Sequence, residues 1–219
     1  DMAHGRGKAT FTNGDIIEGN YSYDEPEGSV EIKYANGDNF TGNFLAGVKH
    51  GFGTWKFADG SSYTGDFRAG EYHGKGKFTY PDGRKVVGIY KYGLLHGDNI
   101  VDLHSNGYEE IGQYRNNQRH GTITITDTNA NYREVAEYKF GLLDGTREIF
   151  WSDGEKNNSQ YKEGLLHGKS MMHYVGGDTE LCDYYEGRKN GFCVYTFKAS
   201  GNKTKCKYQK GKELGCEDL

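Results

Sequence analysis

In this glycine- and tyrosine-rich chain, three of the 31 carboxylates, the 4 cysteines and the 8 histidines have the placement that could do chemistry. Glu110, Asp127 and Glu134 lie near two aromatic residues, Tyr138 and Trp151. Two carboxylates about 5 Å apart across a strand pair repel one another's charge, which lifts one pKa and yields an acid and a base, as in glycoside hydrolysis. The same cluster suits Ca²⁺ or a cationic ligand against an indole. A third reading is a register shift that leaves Asp127 in solvent beside a distorted loop. Six of the eight histidines, His4, His50, His73, His96, His120 and His167, recur at one spacing. In neighbouring hairpins they would stand roughly 9 to 10 Å apart, too far to share a metal, so they are read as structural. His104 and His173 fall outside that column and are read as surface strand or turn residues.

A periodic scaffold must position these groups. Gly5, Gly28, Gly51, Gly74, Gly97, Gly121, Gly145, Gly168, Gly191 and Gly215 recur every 23 or 24 residues, which gives nine tandem units over 1–213 and a cap over 214–219. A fixed period in this range marks an array whose units bury apolar surface by stacking on neighbours. Counted from the residue before each glycine, the sixth position holds Ala9, Ile32, Trp55, Phe78, Val101, Ile125, Ile149, Met172 and Tyr195. The eighth holds Phe11, Tyr34, Phe57, Tyr80, Leu103, Asp127, Trp151, Tyr174 and Phe197, with mostly polar residues between, which is the alternation of a strand with one apolar face. Asn-Gly or Asp-Gly follows in most units, as in Asn36-Gly37 and Asp59-Gly60, and signals a hairpin. A small residue then an aromatic mark the second strand, as in Gly42/Phe44 and Gly65/Phe67. A three-residue loop would set each small residue opposite the sixth position, large against small, and would bring Asp127 opposite Glu134.

Composition limits the alternatives. With 34 glycines but only 2 prolines, and 14% aromatic residues, the chain is expected to fold as β structure. A net charge of -4 provides no field for nucleic acid, and no apolar run is long enough for a membrane span. The chain opens on Asp1 without an apolar leader, as expected of a product after signal removal or of a segment excised from a longer chain.

All four cysteines sit in the last two units. Adjacent-strand pairing joins Cys182 to Cys193 and Cys206 to Cys216, stapling the C-terminal end in an oxidising compartment. Sequons at Asn20, Asn39, Asn157 and Asn202 point the same way, to a secreted or luminal glycoprotein. The alternative is a cytoplasmic protein with free thiols. Lys203, Lys205 and Lys207, followed by Lys210 and Lys212, read either as protection of a sheet edge or as a grip on anionic lipid.

The unit running from His50 through Gly-Phe-Gly-Thr-Trp-Lys-Phe-Ala-Asp-Gly-Ser-Ser-Tyr-Thr-Gly-Asp-Phe-Arg-Ala-Gly resembles the MORN (membrane occupation and recognition nexus) repeat. Gly112-Gln-Tyr-Arg-Asn-Asn-Gln-Arg-His-Gly121 is similar to the repeats that precede the catalytic domain of SET-domain lysine methyltransferases, although the repeats leave no stretch of these 219 residues for a SET domain. The resemblance implies a scaffold that binds proteins or, in some members, lipids. The expected architecture is therefore all-β, a tandem hairpin array forming a single-layer, twisted, grooved antiparallel sheet. Its expected role is non-catalytic: binding a protein, peptide or small organic ligand through a groove lined by Trp55, Phe57, Phe78, Tyr80, Tyr138 and Trp151. The competing expectation is a secreted enzyme or small-ligand protein built around Glu110, Asp127 and Glu134 in repeats five to seven. Neither expectation includes a metal or a cofactor.

Overall fold

The computed structural model describes residues 2–219 and is all-β, with twenty strands and no helix among the described residues. The strands pack as two units, one of residues 2–105 with 114–117 and one of residues 106–113 with 118–219. Each unit is a meander in which sequential strands pair antiparallel.

Two turn types alternate. At the hairpin tip, the loop from Tyr34 to Asp38 is closed by Tyr34 N–H donating to the Asp38 carbonyl (2.9 Å) and Gly37 N–H donating to the Tyr34 carbonyl (3.0 Å). Gly37 takes φ 94°, which favours glycine. Asp38 also accepts from Ala58 N–H of the next tip at 2.9 Å, tying successive tips together. Between hairpins, the strands Asn39–Leu45 and Val48–Lys56 are joined by Ala46-Gly47, both at positive φ (47° and 72°). This is the primed two-residue turn whose twist matches paired strands.

The period-marking glycine is a bulge. Gly42 pairs with Gly53 and Phe44 with Lys49, so His50, Gly51 and Phe52 stand opposite Asn43 alone. Gly51 absorbs the extra length at φ 71°.

The hairpin register differs from expectation by two residues. Val30, not Ile32, faces Gly42, and Ile32 faces Phe40, because the tip loop is five residues long rather than three. Glycine consequently meets glycine: Gly53 with Gly65, Gly65 with Gly76, Gly76 with Gly88. Rings lie flat on these seats. A Cβ on Gly53 would stand 2.7 Å from the Phe40 ring, and one on Gly65 would stand 2.6 Å from the Tyr63 hydroxyl.

One repeat slips. Ile100 and Asp102 point inward while Leu103 is exposed, the reverse of the expected facing of Val101 and Leu103. Asn99, at φ 54°, lies just ahead of the slipped strand segment, and a one-residue slip exchanges the two faces.

The two cores differ. In the N-terminal unit Val30, Ile32, Phe40, Phe44, Tyr63, Phe67 and Tyr90 form one buried cluster. Phe40 and Tyr63 are both 0% exposed, and burying such a side chain contributes roughly 1.5 to 3 kcal/mol. In the C-terminal unit Ile123, Ile125, Ala136, Ile149 and three cysteines share the interior with Glu110, Glu134 and Ser159.

Candidate functional site

In the N-terminal unit the sixth- and eighth-position side chains of successive hairpins come together as a ladder of half-buried rings. Centroids follow at 5.8 Å (Tyr34 to Trp55), 5.2 Å (Trp55 to Phe57), 6.0 Å (Phe57 to Phe78) and 4.7 Å (Phe78 to Tyr80). The predicted groove residues Trp55, Phe57, Phe78 and Tyr80 are thus contiguous. Lys49 places its ammonium 3.2 Å from the centroid of the Trp55 ring and 5.0 Å from that of Phe40. Burial pushes its pKa down to about 8, against the opposing charge of Asp38. The Trp55 Nε1–H is buried without a hydrogen-bond partner.

Beside the ladder's end lies a cavity of about 350 Å³, walled by Phe78, Tyr80, Tyr90 and Ile100 and closed on one side by Arg84 and Asp102. Arg84 donates to Asp102 twice, Nε to Oδ1 at 2.7 Å and Nη2 to Oδ2 at 2.5 Å, and its guanidinium lies 4.8 Å from the Tyr80 centroid. His104 Nε2 is 3.3 Å from the same carboxylate, so it is engaged with a buried partner and is not a bare surface residue. The inward slip places Asp102 here, and Arg84 compensates its charge. A chamber with aromatic and aliphatic walls and with Arg84, Asp102 and Asn117 in its lining can orient an amphipathic ligand.

The acidic cluster of the C-terminal unit is arranged otherwise than expected. Asp127 faces Tyr132, and Glu134 faces Ile125, the same two-residue register difference seen above. Asp127 caps its tip loop, accepting from Asn129 N–H at 3.0 Å and Ala130 N–H at 2.8 Å. Glu110, 2% exposed, accepts from Arg119 Nε at 2.8 Å and from the Tyr108 hydroxyl at 2.8 Å. Glu134 accepts from Arg147 Nη2 at 2.7 Å. The three carboxylates therefore form no dyad: one is a turn cap and two have arginine partners. Of the remaining predicted groove residues, Tyr138 lies under the Arg119 guanidinium, 5.2 Å from its ring centroid, and Trp151 is half-buried opposite Tyr132.

The arginines escaped the sequence reading although a signal existed. Arg147 pairs with Ala136, in the column where Gly53 pairs with Gly42, and a charged residue in a glycine column calls for a counter-charge. A third pair repeats the nine-residue spacing of Glu110 and Arg119: Lys189 donates to Glu180 at 2.6 Å and to the Tyr195 hydroxyl at 3.3 Å.

Both expected disulfides are present, Cys182–Cys193 and Cys206–Cys216, each with a Cα–Cα separation of 4.0 Å. Boundary histidines pack on turn aromatics, His4 on Tyr23 at 4.7 Å and His120 on Phe140 at 5.1 Å. Asn20, Asn39 and Asn202 are exposed, whereas the Asn157 amide donates to Ser170 Oγ and to the Met171 carbonyl, both at 3.3 Å. Lys205 lies 4.2 Å from the Phe192 centroid and 3.9 Å from Glu217. Among the described residues, no helix is long and apolar enough to cross a membrane.

No curated protein matches the sequence. Among solved structures, the SAS-4 (dCPAP) TCP domain of Drosophila melanogaster, in complex with a proline-rich motif of Ana2 (dSTIL), is 15% identical, with a TM-score of 0.44 over 82% of this chain and 90% of that one. The TCP10 domain of Danio rerio CPAP, in complex with a STIL peptide, is 16% identical, with a TM-score of 0.32 over 97% of this chain and 93% of that one. Likenesses at these scores transfer no function. The MORN repeat model matches residues 1–16, 40–62, 63–83, 111–122, 159–179 and 183–201, just over half of the sequence. With the bulge glycines, hairpins and aromatic columns in place, the chain belongs to the MORN-repeat family.

Proposed function

We propose that the protein is a non-catalytic scaffold that binds an extended peptide or small organic ligand along the ring ladder of its N-terminal unit. The observation that carries this reading is the contiguous run Tyr34, Trp55, Phe57, Phe78 and Tyr80, rings left half-buried although the core beneath them is complete. Rigid aromatic surface of this kind supplies contact area at low entropic cost. The adjoining cavity, whose aromatic and aliphatic wall also carries Arg84, Asp102 and Asn117, supports a ligand with an apolar body and polar groups. The carboxylates of the other unit, Glu110 and Glu134, are engaged by Arg119 and Arg147. An oxidising compartment fits a protein whose four cysteines are all bonded.

The test is selection from a random peptide display library on the wild-type protein. Enriched peptides are then titrated against wild type and a Trp55→Ala/Phe78→Ala variant whose circular dichroism matches wild type. Loss of at least about tenfold in affinity, roughly 1.4 kcal/mol, is expected. Equal affinity, or no enrichment, would overturn the assignment.

A further inference from the structure

The four cysteines stand in one row across four consecutive strands: Cys182 opposite Cys193, Cys193 opposite Cys206, Cys206 opposite Cys216. Only the outer two contacts are bonded. Their Cα–Cα separations of 4.0 Å identify them as the narrow pairs of an antiparallel ladder, those without mutual hydrogen bonds. A strand residue turns its N–H and C=O to one side only, so Cys193 and Cys206 direct theirs toward each other. The middle contact is therefore the wide, hydrogen-bonded type at about 5.5 Å, close to the commonest separation of a disulfide. Either partner is thus within reach of Cys193 or Cys206, the wide pair needing its Cβ atoms, about 5 to 5.5 Å apart in such a pair, to close by about 1 Å.

Access is one-sided. Cys182, Cys193 and Cys206 are at most 4% exposed, while Cys216 lies on the fully exposed strand Lys212–Asp218. At the inner end, Glu180 Oε1 is 3.2 Å from Cys182 Sγ, positioned to accept a hydrogen bond from that sulfur once it is a thiol.

We propose that this row is a thiol-exchange site that takes a low-molecular-weight thiol as co-reactant and passes the exchange inward from Cys216. The external thiolate attacks Cys216 Sγ, the bond to Cys206 breaks, and the electron pair leaves on Cys206. The Cys206 thiolate attacks Cys193 Sγ, forming Cys193–Cys206 and breaking Cys182–Cys193. That pair leaves on Cys182, which takes a proton from water and donates it in a hydrogen bond to Glu180. A second external thiol resolves the mixed disulfide at Cys216. In sum, two external thiols become one disulfide, and one protein disulfide becomes the thiols of Cys182 and Cys216. The cross-link moves inward by one strand and frees the strand that carries Cys216.

The experiment uses the full chain and limiting reduced glutathione, trapped at intervals with acid and N-ethylmaleimide and mapped by tryptic mass spectrometry. Lys189, Lys198, Lys205, Lys207 and Lys212 separate all four cysteines, so each linkage has its own mass. A Cys193–Cys206 linked peptide, with Cys182 alkylated, is expected. A Cys216→Ser variant, which leaves Cys206 a free thiol, is expected to show the same linkage without glutathione. In Cys206→Ala, reduction of Cys182–Cys193 is expected to slow by about tenfold or more. Absence of the Cys193–Cys206 peptide from both wild type and Cys216→Ser, or an unchanged rate in Cys206→Ala, would overturn the proposal.

Discussion

Lys49 of the N-terminal unit and Lys189 of the C-terminal unit occupy the same place in their repeats, each two residues before a bulge glycine, Gly51 and Gly191. Each reaches the residue nine positions earlier, and there the units diverge. Lys49 lies over the ring of Phe40, and burial lowers its pKa to about 8. Lys189 meets the carboxylate of Glu180, and although burial pulls its pKa down, the bonds to Glu180 and Tyr195 outweigh it and raise it. The corresponding positions hold Tyr63 stacked on Tyr72 at 3.8 Å, then Val86 and Leu95, then the Glu110–Arg119 ion pair. Backbone geometry decides that two side chains meet, and their chemistry remains free. The aromatic solution adds to the core: Phe40 and Tyr63 are both buried. The ionic solution satisfies itself, and desolvation of its charges offsets much of its attraction.

The contrast yields measurable expectations. Trp55 and Trp151 report one unit each, so fluorescence-monitored denaturation of Trp55→Phe and Trp151→Phe backgrounds separates the two transitions. The largest effect should come from Tyr63→Ala, which empties the seat over Gly65 and Gly76 and should cost about 3 to 5 kcal/mol in the Trp55 transition while the Trp151 transition stays put. A uniform loss in both would contradict separate cores. Next, Glu110→Val strands Arg119 and should destabilise the Trp151 transition by about 3 kcal/mol. Adding Arg119→Leu, which copies the Val86 and Leu95 of the other unit, should restore or exceed the starting stability. Failure of the double variant to recover would show that the ionic pair is required by its surroundings.

Reduction of both disulfides should remove roughly 2 to 3 kcal/mol per bond from the Trp151 transition alone, readable as a shift in denaturant midpoint. The smallest effect concerns protons. The Lys49 pKa is depressed from 10.5 to about 8, so the folded state binds fewer protons than the unfolded chain in that interval, and stability should rise as pH increases from 8 to 10. The gain should be about 1 kcal/mol, once discounted for the half-exposed site and the ring faces that favour the charge. It should vanish in Lys49→Met. Titration of ¹³C-methylated lysines should find Lys49 near pH 8 and Lys189 above the ordinary lysine range.

The period, the strand alternation and the cysteine pairing were legible because each rests on local spacing. The register was not. A tip loop closed by the Asp38 carbonyl and an Asn36 side chain accepting from Asp38 N–H looks in sequence like a shorter turn, and that difference moved Gly42 away from Ile32; in the sixth unit a different tip, 128–131 capped by Asp127, sets Asp127 opposite Tyr132 and not Glu134. The inward turn of Asp102 follows from a slip beside Asn99, a position that carries no proline or glycine to announce it. The arginine partners were hidden for another reason: the column of Arg119 holds Lys49, Tyr72 and Leu95 in other repeats and that of Arg147 holds Gly53, Ile123 and Cys193, so no shared residue type marks either place.

The bulge at Gly51 also bears on how such a chain changes over generations. Because that glycine takes up the surplus residues and returns the strand to phase before the next hairpin, a duplicated segment of 23 residues would arrive with inner and outer faces already aligned. Unequal crossing-over would then alter reach in increments of two strands, about 9 to 10 Å, while existing neighbours kept their contacts.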